Sequence, residues 1–205
     1  MAAVGVAFSD AGDGDLRDPA DRERFSRNLG IPTDWAVARQ VHGRRVLTVA
    51  GPGHAGDADG LVTTVPDLPV AVFTADCLGV VAHGRGVVAV AHAGWRGLAA
   101  GVLEAMVSAM AGLGGPPEVV DVGPSIGPCC YEVGSEVVAA IAHPATTTWG
   151  SPSVDLRAAA IERLGAVAPE ADVRLDDRCT RCSEGLHSHR ASGTSHRLGA
   201  VGWRS

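Results

Sequence analysis

Apolar positions in this chain gather into short runs broken by glycine and proline, and only a few segments show the three-to-four spacing of a helix. Residues 68–75 form a near-continuous apolar run with β-branched residues and Phe73, the composition of a strand buried on both faces. Residues 78–82 and 87–91 read as two further strands, separated by the turn His83-Gly84-Arg85-Gly86. Residues 46–50 read as a strand closed by Gly51-Pro52-Gly53. A Gly/Asp loop carrying Asp57, Asp59 and Gly60 then leads into the short run 61–65. Residues 119–122, 172–175 and 198–203 complete the strands.

The helical patterns lie between these runs. Residues 19–29 predict a helix stopped by Gly30, while the rest of the first forty residues reads as polar loop. After the turn 94–97, Leu98, Val102, Met106, Val107 and Met110 share one face of a helix over 98–110. Another helix is expected from Glu132 to Ala142, ending before Pro144. Asp155 caps a fourth over 156–164, with Gly165 at its C-terminus. Strands and helices alternate irregularly and several strands adjoin in sequence. The expected fold class is therefore mixed α/β, a mixed sheet with helices outside, in one domain over residues 1–205.

Composition narrows the chemistry. With 46% apolar and 20% charged residues, 205 residues can bury a substantial core. No uninterrupted apolar stretch reaches membrane-spanning length, and residues 1–15 lack a basic region followed by an apolar one, so a cytoplasmic location and no membrane partner are expected. The formal net charge is −6 and every basic residue other than histidine is arginine. Lacking lysine, the chain can use neither a Schiff base nor a P-loop lysine. The arginines are dispersed and often neighbour Asp or Glu, which disfavours nucleic acid as a partner.

Three residues carry most of the candidate chemistry. Cys77, in TADC, and His92, in HAGWRG, stand at the ends of apolar runs, and His42, in RQVHG, stands just before another. They are 35 and 15 positions apart, too far for a local zinc knuckle, so the fold would have to assemble them. Together they would make a two-His, one-Cys set with one coordination position open. A Cys77/His92 nucleophile–base pair without metal is the competing arrangement. Arg96, near the expected helix start, suggests an anion pocket. Asp76 could orient a ligating histidine or merely end its strand.

The five cysteines are Cys77, Cys129, Cys130, Cys179 and Cys182, an odd number that suits a reducing compartment better than a disulfide framework. Cys179 and Cys182 form a C-x-x-C, half of a structural zinc site. No second half lies at a convincing spacing, so simple thiols are the expectation there.

In order, RQVHG, DADGLVT, TADC, HAGWRG, DVGPSIGPCCYEVG and CTRC resemble the bacterial laccase-domain family. That family is known variously as polyphenol oxidoreductase, purine nucleoside phosphorylase and YfiH-like peptidoglycan editing factor. The resemblance runs from about Gln40 to Trp203. It implies a CNF/YfiH-like four-layer α/β/β/α sandwich with mixed sheets, and a Zn2+ site made by His42, Cys77 and His92, which would also be the catalytic residues. The implied activities are phosphorolysis of adenosine, inosine, guanosine and methylthioadenosine, together with adenosine deamination. The partners would then be a small-molecule purine nucleoside and phosphate, with Gln40, Asp76, Arg96 and Arg190 as substrate-binding candidates.

Two alternatives accompany this reading. One is a copper-dependent polyphenol oxidoreductase, although eight histidines with only one H-x-H are few for a multicopper set. The other is a Cys-His hydrolase in peptidoglycan precursor editing. The chain departs from the family strings at Arg39 in place of Asn, at Gly79 in place of Pro, at LHSHR in place of an FFSYR-like string, and at His196 in place of Gly. These departures surround the positions expected to contact substrate, not the three expected ligands.

Overall fold

A computed structural model describes residues 4–205 of the chain; residues 1–3, part of the stretch read above for a leader pattern, lie outside the described residues. The strands are β1 Val4–Phe8, β2 Ala36–Arg39, β3 Val46–Thr48, β4 Gly53–Asp57, β5 Gly60–Thr63, β6 Val70–Thr74, β7 Leu78–Gly84, β8 Val87–Ala93, β9 Val119–Val122, β10 Pro144–Thr146, β11 Pro152–Val154, β12 Asp172–Leu175 and β13 Leu198–Arg204. The helices are α1 Pro19–Leu29, α2 Trp95–Ala100, α3 Val102–Ala111, α4 Ser135–Ile141, α5 Leu156–Val167 and α6 His189–Ser192.

Two mixed sheets stack face to face. One has five strands in the order β1-β13-β6-β2-β4, the other six in the order β12-β9-β7-β8-β5-β3, and β10-β11 form a separate hairpin. Val70, Val72 and Ala200 from the first sheet pack with Leu61, Val81, Val88 and Val90 from the second in one buried cluster. The opposite face of the six-stranded sheet, with Val80, Ala82, Ala89 and Ala91, packs on Leu98, Leu103, Met106 and Leu164 of α2, α3 and α5. The outer face of the five-stranded sheet, with Ala71, Phe73 and Val201, is covered by Phe25 of α1 and by Trp35. Four layers result, α/β/β/α. β7 and β8 are apolar on both faces because each face meets a different layer.

Several element boundaries differ from the sequence reading, each for a local reason. The first forty residues contain β1 and β2, both only partly buried, so neither leaves a long apolar run. β4 occupies the glycine-rich stretch read as a turn, and its exposed positions leave no alternation to detect. The helix expected over 98–110 is two helices, because Gly101 takes a left-handed conformation with φ 89°. The helix expected from Glu132 begins at Ser135, and the β10-β11 hairpin follows it. Asp155 does cap α5, accepting from the backbone N–H groups of Arg157 and Ala158, but the helix passes through Gly165 to Val167.

The sheet register is what builds the site. Between β7 and β8, Leu78 pairs with Ala93 and Gly79 with His92, which sets Cys77 beside Gly94 at the open end of the two strands. Between β5 and β8, Gly60 pairs with Ala91, so Asp59 lies opposite His92 and its carbonyl accepts the His92 N–H at 2.7 Å. The β2–β3 turn, which carries His42, closes over the same end of the sheet.

Candidate metal centre

The ligand atoms of His42, Cys77 and His92 all lie within 4.8 Å of one another. The two imidazole rings meet edge to face, with centroids 4.8 Å apart. His92 is buried, Cys77 half-buried and His42 exposed, so the trio is anchored in the sheet and open on one side. Gly94 makes the close approach possible: a Cβ there would stand 2.9 Å from the Cys77 sulfur and 3.5 Å from Cδ2 of His42.

Asp59 holds two of the three residues. Its fully buried carboxylate accepts the backbone N–H groups of Val41, His42 and Gly43 at 3.2, 2.9 and 2.7 Å, and Nδ1 of His92 lies 2.8 Å from the same carboxylate. This network holds His42 at φ 60°, a left-handed conformation uncommon outside glycine. It also occupies Nδ1 of His92 and leaves Nε2 as the free ring nitrogen, the arrangement by which a carboxylate orients a metal-binding histidine. Burial alone would raise the Asp59 pKa, but the bonds from His92, Gly43 and Val41 hold it below the usual carboxylate range.

The same contacts set the charge on the trio. Burial opposes the Cys77 thiolate, yet hydrogen bonds from His42 and His92 outweigh it and bring the thiol down to about 6. For His92 burial favours the neutral ring, while Asp59 and then Cys77 favour the cation and raise its pKa to about 9. A thiolate beside two imidazoles is a soft donor set suited to zinc or copper, and three protein donors leave a position for an exchangeable ligand.

Asp76 has a different role from the one its sequence position suggested. It stands at φ 94° immediately before Cys77, and its Oδ1 accepts from Thr180 Oγ1 at 2.7 Å and Ser188 Oγ at 2.6 Å. Its Oδ2 accepts from the Arg190 backbone N–H at 2.7 Å. It thus ties the Cys77 loop to the Thr180–Arg190 segment, and the carboxylate that orients a histidine is Asp59. The sequence reading missed Asp59 although it lies inside the DADGLVT string. A carboxylate entering a fully buried strand was the available signal.

The trio opens into a cleft of about 640 Å3, within the range of small-molecule sites. Gln40, Asp76, Arg96 and Arg190 all line it. Gln40 has both amide atoms engaged by the Phe73 backbone, donating at 2.7 Å and accepting at 2.8 Å, and so extends the β2–β6 pairing. Arg96 stacks over the Trp95 ring at 4.3 Å, and Arg190 lies 5.1 Å from the centre of the Tyr131 ring while donating to the Glu132 carbonyl. Three further arginines, Arg17, Arg39 and Arg197, also line the cleft and complete a cationic wall around it in an acidic protein. Burial and the neighbouring Arg17 charge lower the Arg197 pKa.

A sequence model of the family described as multi-copper polyphenol oxidoreductase laccase matches residues 9–205. The chain belongs to that family. Among relatives of this laccase-domain protein, a purine nucleoside phosphorylase of Streptomyces griseus is 40% identical over 199 residues, which cover 90% of this chain and 80% of the relative. The Escherichia coli K12 purine nucleoside phosphorylase YfiH is 37% identical over 195 residues, 89% of this chain and 79% of its own. Among solved structures, YlmD from Geobacillus stearothermophilus superposes with a TM-score of 0.83 at 29% identity, covering 100% of this chain and 91% of that one. A Bacillus licheniformis protein, YfiH, superposes with a TM-score of 0.80 at 26% identity, covering 90% and 80%. The α/β/β/α architecture is that of these YfiH-like structures. No helix among the described residues is long and apolar enough to cross a membrane.

Proposed function

We propose that the protein is a zinc-dependent purine nucleoside phosphorylase with a second, adenosine-deaminating activity. The observation that carries this reading is a three-donor His/Cys set opening into a nucleoside-sized cleft walled by arginines. The names of the relatives point the same way. In phosphorolysis a phosphate oxygen forms a bond to ribose C1′ as the C1′–N9 bond breaks, and the leaving purine takes up a proton.

His42, Cys77 and His92 would hold the metal, which supplies Lewis acidity and an exchangeable position when bound. Asp59 holds His42 and His92 in place. Arg96, Arg190 and Arg197 bind the phosphate anion, and their fixed charges act where negative charge must be gathered. Tyr131, whose pKa burial pushes up to about 12, stays protonated in the cleft and can donate a hydrogen bond. Gln40 and Asp76 shape the floor, with their own side chains bonded to the backbone or to hydroxyls. The nucleoside and phosphate are the only partners this reading requires, and a cytoplasmic setting would supply both.

The test is incubation of the zinc-loaded protein with inosine and phosphate, then with adenosine, resolving ribose 1-phosphate, hypoxanthine and inosine by chromatography. Phosphate-dependent release of free base is expected. No release of base or ribose 1-phosphate would sink the reading.

A second reading, copper-dependent phenol oxidation, is favoured by the family's own description and by the suitability of a His2Cys set for copper. Against the multicopper form, the His/Cys/Asp/Glu clusters found among the described residues are this trio and a group of four cysteines, neither of them a trinuclear histidine site. Elemental analysis with an oxygen-uptake assay on a phenol separates the two readings. The low thiol pKa of Cys77 also fits a Cys-His hydrolase acting on wall precursors. Retention of precursor cleavage by Cys77→Ser would rule that out.

A further inference from the structure

The fold completes a second set of soft donors that spacing along the sequence leaves as a half. Cys129 and Cys130, on the loop between β9 and α4, meet Cys179 and Cys182, on the loop after β12, and the four sulfurs lie within 4.8 Å of one another. The missing half of the C-x-x-C site is thus the Cys129-Cys130 pair, brought in by tertiary structure. None of the four is in a disulfide. The sulfurs of Cys129 and Cys182 are 3.9 Å apart. A disulfide requires about 2.05 Å, whereas a zinc tetrahedron with Zn–S bonds of about 2.3 Å has edges of about 3.8 Å.

The surroundings suit thiolates on a bound cation. The Gly127 N–H donates to the Cys179 sulfur at 3.2 Å. A Cβ on Gly127 would stand 3.2 Å from the Cys129 sulfur and 3.3 Å from the Cys179 Cβ, tighter than most real contacts, so glycine lets the two halves approach. Four thiolates on a divalent metal leave two negative charges, and two arginines bond to the cysteine loops, Arg157 from α5 and Arg181 from between two of the cysteines. Arg157 donates to the carbonyls of Ser125, Asp177 and Arg178 at 2.7, 2.7 and 3.0 Å, and Arg181 to that of Cys130 at 3.3 Å. Cys130 and Cys179 are buried while Cys182 is exposed, so one side is dry and the other admits a metal.

We propose that Cys129, Cys130, Cys179 and Cys182 bind a second zinc ion as a closed tetrathiolate site, distinct from the open trio and structural in role. Four protein donors leave no exchangeable position, so the site acts as a clamp. It pins the 178–190 segment to the 123–134 loop, reinforcing the parallel bridge between Ser125 and Cys179. Thr180 lies between two of the ligands and donates to Asp76, the residue before Cys77, and Asp76 also takes the Arg190 N–H. The clamp therefore positions one ligand of the first site and one arginine of the cleft without touching substrate. The inference does not depend on which reaction the trio performs.

Cobalt titration of the anaerobically purified, metal-free protein tests it, because Co2+ bound by thiolates shows charge-transfer absorption that scales with their number. The full chain should bind two Co2+ ions, one with a one-thiolate spectrum and one with a four-thiolate spectrum. Cys77→Ser should keep the four-thiolate ion alone, and its melting temperature should rise when Zn2+ is added. The Cys179→Ser, Cys182→Ser double variant should keep only the one-thiolate ion; should it fail to fold, the full chain and Cys77→Ser still decide. Binding of a single one-thiolate ion by the full chain, loss of all cobalt binding in Cys77→Ser, or a predominant Cys129–Cys182 disulfide in the anaerobic protein would each overturn the proposal.

Discussion

The two sides of the cleft are built on different principles. The ligand side is placed by strand register, with Cys77 and His92 at neighbouring ends of β7 and β8 and His42 tied to the sheet through Asp59. Most of the arginine side is placed by loops and short helices: Arg96 on the six-residue α2, Arg190 on the four-residue α6, and Arg17 and Arg197 outside helices and strands, with Arg39 at the end of β2 the exception. One side is tied to the packed sheet, and the other can be re-aimed by changes that leave the core alone. Under the proposed function the metal chemistry falls to the sheet-built side and the choice of substrate to the loop-built one; of the departures from the family strings, LHSHR and His196 lie on the loop side, while Arg39 and Gly79 lie on β2 and β7.

The comparison breaks first at the ligands. Cys77→Ser should bring the metal bound at the trio to background and turnover with it, measured by elemental analysis of the purified variant alongside the activity assay. If zinc at the trio and turnover both survive, the rigid side does not hold the metal. Asp59→Asn should weaken metal binding by about 10- to 100-fold without abolishing it, read by competition with a chromogenic chelator. An unchanged affinity would reduce Asp59 to a structural carboxylate.

A smaller effect is expected from the adaptable side. Arg190→Met removes a charged hydrogen bond, worth about 1.5–3 kcal/mol. It should raise the KM for phosphate by roughly tenfold or more while metal content stays the same, and a loss of metal would show the two sides are not separable. The smallest change should come from Arg24→Ala on α1, which removes an exposed ion pair with Asp21 at 2.6 Å. Such pairs are worth about 0–1 kcal/mol, so a clearly larger loss in a thermal melt would mean that α1 is coupled to the core more tightly than its exposed face suggests.

Much of the site was legible because its donors stand in strings with a chemical reason to be there. His42, Cys77 and His92 are soft donors at the ends of apolar runs, and the structure brings all three together. Asp59 is separable from Asp57 only by the apolar run it enters; Asp57 pairs with Arg39 in an exposed bridge. Asp57 ends β4 in the five-stranded sheet while Asp59 leads into β5 in the six-stranded one, and the crossing between the sheets leaves one exposed and sets the other against His92. The proximity of the cysteine pairs is equally illegible in the sequence: Cys129-Cys130 and Cys179/Cys182 meet through the parallel pairing of β9 with β12, which no spacing rule encodes.

The sequence by itself determined the mixed α/β class, the double-faced burial of β6 and which two histidines and one cysteine to watch, because hydrophobic period and side-chain chemistry are local properties. Only the tertiary structure decided which carboxylate holds the ligands, which arginines face the cleft and which thiols become neighbours. Those outcomes depend on strand register and on the approach of segments far apart in the chain, which no local pattern encodes.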